Sequence, residues 1–151
     1  MTNLNNLEEI LDYAIAMEQA AIDLYTRIAG KAATEHNRQL FLSFAQEEEG
    51  HKIKLQNVKS GKIEIGSMEK VQDLKIADYA NDVEITDNSS YQDILMFAMK
   101  QEKQAFRLYT DLSERSESEE IKKFFMALAH EEANHKLRFE IEYDEHVLKD
   151  N

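Results

Sequence analysis

An acidic residue and a histidine recur together in this chain at the spacing of one helical turn, and their neighbours recur with them. Glu48-x-x-His51 returns as Glu132-x-x-His135 within two segments, 7–57 and 91–141, that align without a gap. The matched positions include Ile10/Ile94, Leu11/Leu95, Ala14/Ala98, Glu18/Glu102, Tyr25/Tyr109, Phe41/Phe125 and Ala45/Ala129. A repeat this long, present only twice, does not fit a solenoid. It predicts two similar helical hairpins related by a pseudo-twofold axis.

Composition and capping signals predict that the fold is wholly helical. The 151 residues include no proline and only four glycines, and 42% of them are hydrophobic, which favours long helices. The predicted helix starts are an Asn5 or Asn6 cap, Glu35, and two capping boxes that open with Ser90 and Ser116. The predicted helix ends are Gly30, Ser60 followed by Gly61, and a position near Leu148.

The segment between the two repeats, about 61–89, interrupts the helical pattern. Lys62 to Ile65 alternates like a short extended piece, and Ser67 to Leu74 is compatible with a helical turn or two. A connection this long suits a crossover along a bundle rather than a tight hairpin. We therefore predict an all-α, ferritin-like four-helix bundle of two antiparallel hairpins. We expect residues 1–151 to form a single domain with repeat units 7–60 and 91–144.

The repeated motif predicts a metal site. Three residues along a helix span roughly 300°, so Glu48 and His51 share one face, which otherwise carries phenylalanine and leucine. A lone buried carboxylate there would cost many kcal/mol or take up a proton. Folding each hairpin at its turn brings all the repeated charged residues to one level of the bundle. The predicted ligands are Glu18, Glu48, His51, Glu102, Glu132 and His135.

Four carboxylates are neutralised by two divalent cations. One Glu from each of two helices and Glu-x-x-His from each of the others is the di-iron or di-manganese carboxylate pattern. Oxygen and imidazole donors without sulfur favour iron or manganese over copper. We expect two iron ions, with manganese as the alternative.

Other repeated or conspicuous residues have weaker predictions. Tyr25 and Tyr109 lie two turns beyond Glu18 and Glu102, where they could donate hydrogen bonds to ligands or carry an electron, or simply pack in the core. Glu47 and Glu131 point about 100° away from their ligand neighbours, which favours a solvated role or one outside the ligand set. The unrepeated histidines His36, His130 and His146 are expected at the surface. Core or interface packing is expected for Met17, Met96, Met99 and Met126.

Charge and cysteine content exclude several functional classes. The formal charge is −12, from 18 basic and 30 acidic residues, so neither nucleic acid nor an anionic membrane is expected as a partner. The chain has no cysteine, which excludes disulfides and thiolate metal centres within it. Neither a signal peptide nor a membrane-spanning run is predicted. A cytoplasmic protein is therefore expected.

Two stretches carry a resemblance to a known family. Ala16-Met17-Glu18-Gln19-Ala20-Ala21-Ile22-Asp23-Leu24-Tyr25 and Phe44-Ala45-Gln46-Glu47-Glu48-Glu49-Gly50-His51 resemble the rubrerythrin-like branch of the ferritin-like superfamily. The second half repeats the resemblance, from Glu102 to Tyr109 and from Leu128 to His135. The resemblance implies that the six predicted residues are the metal ligands, with Glu48 and Glu132 as the bridging pair.

The chain departs from full-length rubrerythrins in two respects. It has no cysteine-ligated rubredoxin domain, so electrons would come from a separate donor, such as a rubredoxin-type protein. It also has Ala105 where the family has a further glutamate, three residues after the ligand Glu102. That extra carboxylate is associated with peroxide reduction, so the remaining ligand set is closer to that of bacterioferritin and favours oxidation of Fe(II).

These observations lead to three hypotheses of function. The first is a non-haem di-iron redox protein, a ferroxidase or peroxidase type that reacts Fe(II) with dioxygen or hydrogen peroxide in oxidative stress or iron homeostasis. The second is an iron storage or handling protein, and the third is a ferritin-like metal-binding module without turnover. We expect a homo-oligomer, with a dimer favoured.

Overall fold

Four long helices make up most of the chain. The computed structural model describes residues 3–4, 7–61, 74–75, 79, 81, 84–116 and 118–150. The helices are α1 (Leu7–Lys31), α2 (Glu35–Lys59), α3 (Tyr91–Glu114) and α4 (Glu119–Asp150). Most contacts between helices join α1 to α2 and α3 to α4, as expected of two hairpins. The prediction of an all-α, ferritin-like four-helix bundle is confirmed.

Capping residues explain where most of the helices begin and end. The Thr34 hydroxyl accepts a hydrogen bond from the Asn37 N–H at the start of α2, and the Ser90 hydroxyl accepts one from the Asp93 N–H at the start of α3. Gly61 follows α2 with a φ of 81°, a left-handed conformation that glycine adopts without a steric penalty. The predicted stops and starts at these positions are therefore correct. The predicted caps Asn5 and Asn6 lie outside the described residues.

Two predicted helix boundaries are wrong. Helix α1 continues through Gly30 to Lys31, because the next residues still satisfy its carbonyls, as the Ala32 N–H does at Ala29. Helix α4 begins at Glu119, and the Lys122 N–H bonds to the Ser118 carbonyl. The Ser116 hydroxyl instead accepts from the Ser118 N–H, so it holds the turn before the helix.

The described residues of the connection between α2 and α3 bond to α3 and to the N-terminal residues. The Tyr79 hydroxyl donates to the Asp111 carboxylate at 2.7 Å, and the Asn81 amide donates to the Phe97 carbonyl at 3.0 Å. A two-residue antiparallel pairing joins Asn3–Leu4 to Leu74–Lys75. Leu74 is thus extended rather than helical, and the rest of the predicted turn, 67–73, lies outside the described residues. So does the predicted extended piece, 62–65.

The hydrophobic core forms two clusters at opposite ends of the bundle. One contains Ile10, Leu11, Leu55, Leu112, Ile121 and Phe125. The other contains Leu24, Ile28, Phe41, Phe44, Ile94 and Phe139. The predicted metal ligands lie between them in sequence along every helix. Among the described residues, no helix is both long and apolar enough to cross a lipid bilayer.

Candidate metal centre

All six predicted ligand side chains are buried in the middle of the bundle. Each is only 1% or 2% exposed: Glu18, Glu48, His51, Glu102, Glu132 and His135. Alanines one turn before and after the carboxylates of α1 and α3 make room for them, since a larger side chain would fill that space. These alanines are Ala14, Ala21, Ala98 and Ala105, all buried.

The six residues form two overlapping groups. The first is Glu18, Glu48, His51 and Glu132, and the second is Glu48, Glu102, Glu132 and His135. Within each group, one ligand atom per residue lies within 4.8 Å of the others. Glu48 and Glu132 belong to both groups. Each group therefore offers three carboxylates and one imidazole, and the two share a central pair of carboxylates.

Each imidazole reaches across to the shared glutamate of the opposite hairpin. His51 Nδ1 lies 2.8 Å from Glu132 Oε1, and His135 Nδ1 lies 2.8 Å from Glu48 Oε1. The two rings are nearly parallel, with centroids 6.4 Å apart and planes 20° apart. The pseudo-twofold relation predicted from the sequence repeat is thus visible in these contacts.

The outer nitrogen of each imidazole contacts a carboxylate outside the two groups. His51 Nε2 contacts Glu131, and His135 Nε2 contacts Glu47, again across the hairpins. The side chains of Glu131 and Glu47 are 49% and 58% exposed. When a neutral imidazole donates a hydrogen bond from Nε2–H to such a carboxylate, its lone pair is on Nδ1 and faces the centre. The prediction of a role outside the ligand set for these two glutamates agrees with this contact. That they bond to the opposite repeat was not predicted.

The two repeated tyrosines have different partners. Both are fully buried. The Tyr109 hydroxyl donates to Glu18 Oε1 at 2.5 Å. Among the described residues the Tyr25 hydroxyl has no hydrogen-bond partner; its ring packs against Phe139 and Phe44, with the His135 ring 6.2 Å away. Of the two tyrosines, therefore, Tyr109 donates a hydrogen bond to a predicted ligand, and Tyr25 donates none to a described residue.

Several buried polar atoms face one another without a hydrogen-bond partner among the described residues. They are Glu18 Oε2, Glu48 Oε1, His51 Nδ1, both oxygens of Glu102, Glu132 Oε1 and His135 Nδ1. Buried polar atoms of folded proteins nearly always have partners. Carboxylate oxygens and imidazole nitrogens that converge in a buried cluster are electron-pair donors that suit cations, so the donor set fits bound metal ions.

The electrostatics of the cluster without metal are unfavourable. Burial and the neighbouring carboxylates Glu132 and Glu18 raise the pKa of Glu48 well above its usual value. Burial and nearby acidic groups do the same to the pKa of Glu132. Burial raises the pKa of Glu102 to about 8. Burial alone would lower the pKa of His51, but Glu132 and Glu18 outweigh it and raise that pKa to about 10. The metal-free centre therefore retains protons that cations would replace.

These shifts predict that the metal-free protein loses stability as pH rises. Glu102 has a folded pKa of about 8 against an ordinary value of 4.5, and His51 about 10 against 6.5. Each group binds more protons in the folded than in the unfolded state. Its contribution to stability therefore decreases as the pH rises from its ordinary pKa to its folded pKa. The pKa of Glu18 is lowered. Its contribution to stability is therefore lost only when the pH falls below its ordinary pKa. Urea denaturation of the metal-free protein from about pH 5 to about pH 9 measures the effect. Stability that rises or stays constant over this range would contradict it.

The tyrosines provide a matched pair of substitutions. We expect Tyr109→Phe to destabilise the metal-free protein by about 1–3 kcal/mol, because it removes a buried donor to a carboxylate. Tyr25→Phe should be close to neutral, since that hydroxyl has no described partner to lose. Chemical denaturation of the two variants side by side measures the difference. Equal effects would show that the hydrogen bond to Glu18 contributes nothing.

The remaining histidines and methionines mostly lie where they were predicted. His36 and His130 are exposed, whereas His146 is partly buried and packs against the Tyr91 ring at 5.1 Å. Met17, Met99 and Met126 are partly buried against the core clusters. Met96 is 46% exposed, so the core alternative was wrong for it, and packing in an interface stays a prediction.

Comparisons with known proteins agree with this geometry. The chain is similar to a hypothetical protein from Pyrococcus furiosus of known structure, with 26% identity, a TM-score of 0.69 and coverage of 92% of this chain and 89% of that one. No curated protein matches the sequence significantly. The family description Rubrerythrin matches residues 9–91 and 93–149. Since this match spans nearly the whole chain, including all six buried acidic and imidazole residues, the chain belongs to the rubrerythrin family.

Proposed function

We propose that this chain is a non-haem di-iron redox protein that uses Fe(II) to reduce hydrogen peroxide or dioxygen. The observation that carries the proposal is the pair of overlapping ligand groups that share Glu48 and Glu132. The residues of these two groups would hold two metal ions, which supply redox chemistry when bound. When bound, two Fe(II) ions would supply the two electrons that, with two protons, reduce hydrogen peroxide to two waters or dioxygen to hydrogen peroxide.

The residues around the ligands have supporting roles in this proposal. Glu48 and Glu132, which belong to both groups, would help to hold both ions, while Glu18 and Glu102 would each help to hold one. Tyr109 holds the Glu18 carboxylate in one orientation through its hydrogen bond, and Tyr25 is the weaker candidate for a catalytic role. Burial of the whole cluster keeps bulk water away and strengthens each electrostatic interaction within it.

The composition of the ligand groups bears on the choice of reaction. Ala105, one turn after Glu102, is buried and offers no ligand atom. The two groups are therefore equal, with three carboxylates and one imidazole each. This symmetry supports oxidation of Fe(II) by dioxygen or peroxide over a reaction that needs a further carboxylate. The oxygen and imidazole donors favour iron or manganese over copper; iron is the ion of this proposal, and manganese is the alternative.

Anaerobic loading with Fe(II), followed by addition of peroxide or dioxygen, tests the proposal. We expect an Fe(III)-oxo absorption band in the near ultraviolet that bleaches on reduction, together with consumption of the oxidant. Metal analysis of the same sample gives the stoichiometry. Protein that binds iron but reacts with neither oxidant would instead be a metal-binding module, and a closed multi-subunit shell in size-exclusion chromatography would favour iron storage.

A further inference from the structure

Three polar side chains form a hydrogen-bonded network at one end of the bundle. The Glu142 carboxylate is only 8% exposed. It accepts hydrogen bonds from the Asn37 amide at 3.0 and 3.1 Å and from the Tyr91 hydroxyl at 2.9 Å. Glu142 lies in α4, Tyr91 begins α3 and Asn37 lies in α2, so the bond from Asn37 joins the two hairpins. We call these three residues the polar triad.

The sequence repeat shows that the fold does not require polar residues at these positions. The counterparts of the polar triad at the opposite end of the bundle are all apolar: Ile121 for Asn37, Leu7 for Tyr91 and Val58 for Glu142. Two of these counterparts are buried in one hydrophobic cluster, and the third packs against it. A buried carboxylate is costly unless it is hydrogen-bonded. The polar triad therefore indicates a role other than stability.

The metal ligands do not determine which hairpins pair. The first hairpin (α1 and α2) supplies Glu18, Glu48 and His51, and the second (α3 and α4) supplies their repeat counterparts. Two first hairpins from two chains would therefore offer the same six ligand types, and so would two second hairpins. We call either arrangement like pairing. Because buried apolar positions also recur, such as Phe41 and Phe125, a further feature has to distinguish like pairing from the observed pairing.

The polar triad makes this distinction. In like pairing of two second hairpins, each Glu142 would face Ile121 of the other chain, because Ile121 occupies the repeat position of Asn37. In like pairing of two first hairpins, each Asn37 would face Val58 in the same way. Each like bundle would thus contain two buried polar groups without the partner from the opposite hairpin, which costs more than a hydrogen bond normally contributes. Pairing of unlike hairpins keeps the bond between Asn37 and Glu142.

We propose that the polar triad is the recognition element that makes the first hairpin pair with the second and excludes like pairing with another copy of the chain. Because like pairing builds each centre from two chains, it would make formation of the metal centre depend on protein concentration. Polar residues buried in other helical assemblies set register and partner choice at a cost in stability. This inference goes beyond the proposed redox function and does not depend on it.

Refolding of labelled full chains tests the proposal. The chain has no cysteine, so Lys54→Cys, at an exposed position of α2, provides a single labelling site. Donor-labelled and acceptor-labelled chains are mixed in urea and refolded together, and the energy transfer between them is measured. Like pairing of first hairpins brings two labels into one four-helix bundle, whereas the observed pairing leaves one label in each bundle. Transfer in the refolded wild type gives the baseline, which includes any contact between whole bundles.

The first variant replaces the polar triad with its repeat counterparts: Asn37→Ile, Tyr91→Leu and Glu142→Val. We expect energy transfer to rise about twofold or more over the wild-type baseline, because like pairing no longer leaves a buried carboxylate or amide without its partner. Urea denaturation should show a stability no lower than that of the wild type, since apolar residues often replace buried ionic groups without loss. Transfer that stays at the baseline in this folded variant would overturn the proposal.

A relocated network is the matched control. Leu7→Tyr, Val58→Glu and Ile121→Asn, added to the first variant, place the same three polar residue types at the opposite end of the bundle. The new carboxylate then lies in α2 and the new amide in α4, so pairing of unlike hairpins again satisfies both. We expect energy transfer to return to the wild-type baseline. Transfer that remains as high as in the first variant would overturn the proposal.

Two further measurements keep the outcomes distinct. If the first variant does not fold, Glu142→Gln replaces it, and a smaller rise in transfer is required, because a neutral amide opposes like pairing less than a carboxylate does. Metal analysis after Fe(II) loading should give equal content in all variants, since either pairing provides the six ligand types. Wild type that binds no iron would refute the proposed function and leave the comparison of energy transfer intact.

Discussion

Replacing Glu48 and Glu132 together with glutamine is expected to abolish binding of both metal ions at once. Each of these carboxylates belongs to both ligand groups, so their loss removes two of the three carboxylates from each. After loading with Fe(II) and desalting, metal analysis should fall from about two ions per chain to nearly none. A double variant that retains both ions would show that the buried cluster is not the metal site.

The same double variant loses metal binding but should raise the stability of the metal-free protein. Burial and neighbouring acidic groups raise the pKa of both carboxyls well above the usual value, so the charged forms are destabilising when no cation is present. The glutamine side chains are neutral and of similar shape, so near pH 8 they remove the free-energy cost of burying charged carboxylates. The matched control is Glu49→Gln with Glu120→Gln, at two exposed positions, which should alter neither metal content nor stability.

Replacing Glu47 and Glu131 with alanine is expected to lower metal affinity by about 10–100-fold. These carboxylates contact the outer nitrogens of His135 and His51 and thereby orient both rings toward the centre. Competition with a chelator of known affinity measures the change. Because each glutamate contacts a different imidazole, each single variant should weaken one ion and spare the other.

Because the side chains of Glu47 and Glu131 are partly exposed, an effect of these substitutions on metal affinity is easy to separate from a folding defect. The side chains of Glu47 and Glu131 are 58% and 49% exposed, so alanine leaves no internal cavity there. The control is Glu49→Ala, at an exposed position two residues after Glu47 in α2. It should keep full metal affinity. Unchanged affinity in the Glu47 and Glu131 variants would mean that packing alone orients the imidazoles.

The central residues of the site were predictable because burial conflicts with their charge. A carboxylate in an apolar helical stripe needs a compensating partner, and Glu18 and Glu48 have that environment in the sequence itself. The repeat adds Glu102 and Glu132 at the same level of the second hairpin. Helix ends were less predictable: Gly30 and Ser116 have the right residue types for a stop and a cap, but neighbouring backbone groups satisfy the helix one or two residues further on.

Partners across the hairpins were beyond the reach of periodicity. Helical spacing shows which face of its own helix a residue occupies, and so it placed Glu47 and Glu131 away from the ligand face. It does not show which residue of another helix lies opposite. The difference between Tyr109, which bonds to Glu18, and its repeat counterpart Tyr25 is of the same kind. Identical sequence positions meet different neighbours once the crossover and the two hairpins pack.

The sequence alone therefore determined the helical class, the duplicated hairpins and the six buried residues, because all of these follow from hydrophobic spacing along single helices. The tertiary structure decided what lies between helices. It paired each histidine with two glutamates of the opposite repeat and made Glu48 and Glu132 common to both groups. Contacts between helices depend on how their faces meet, and no spacing within one helix records that.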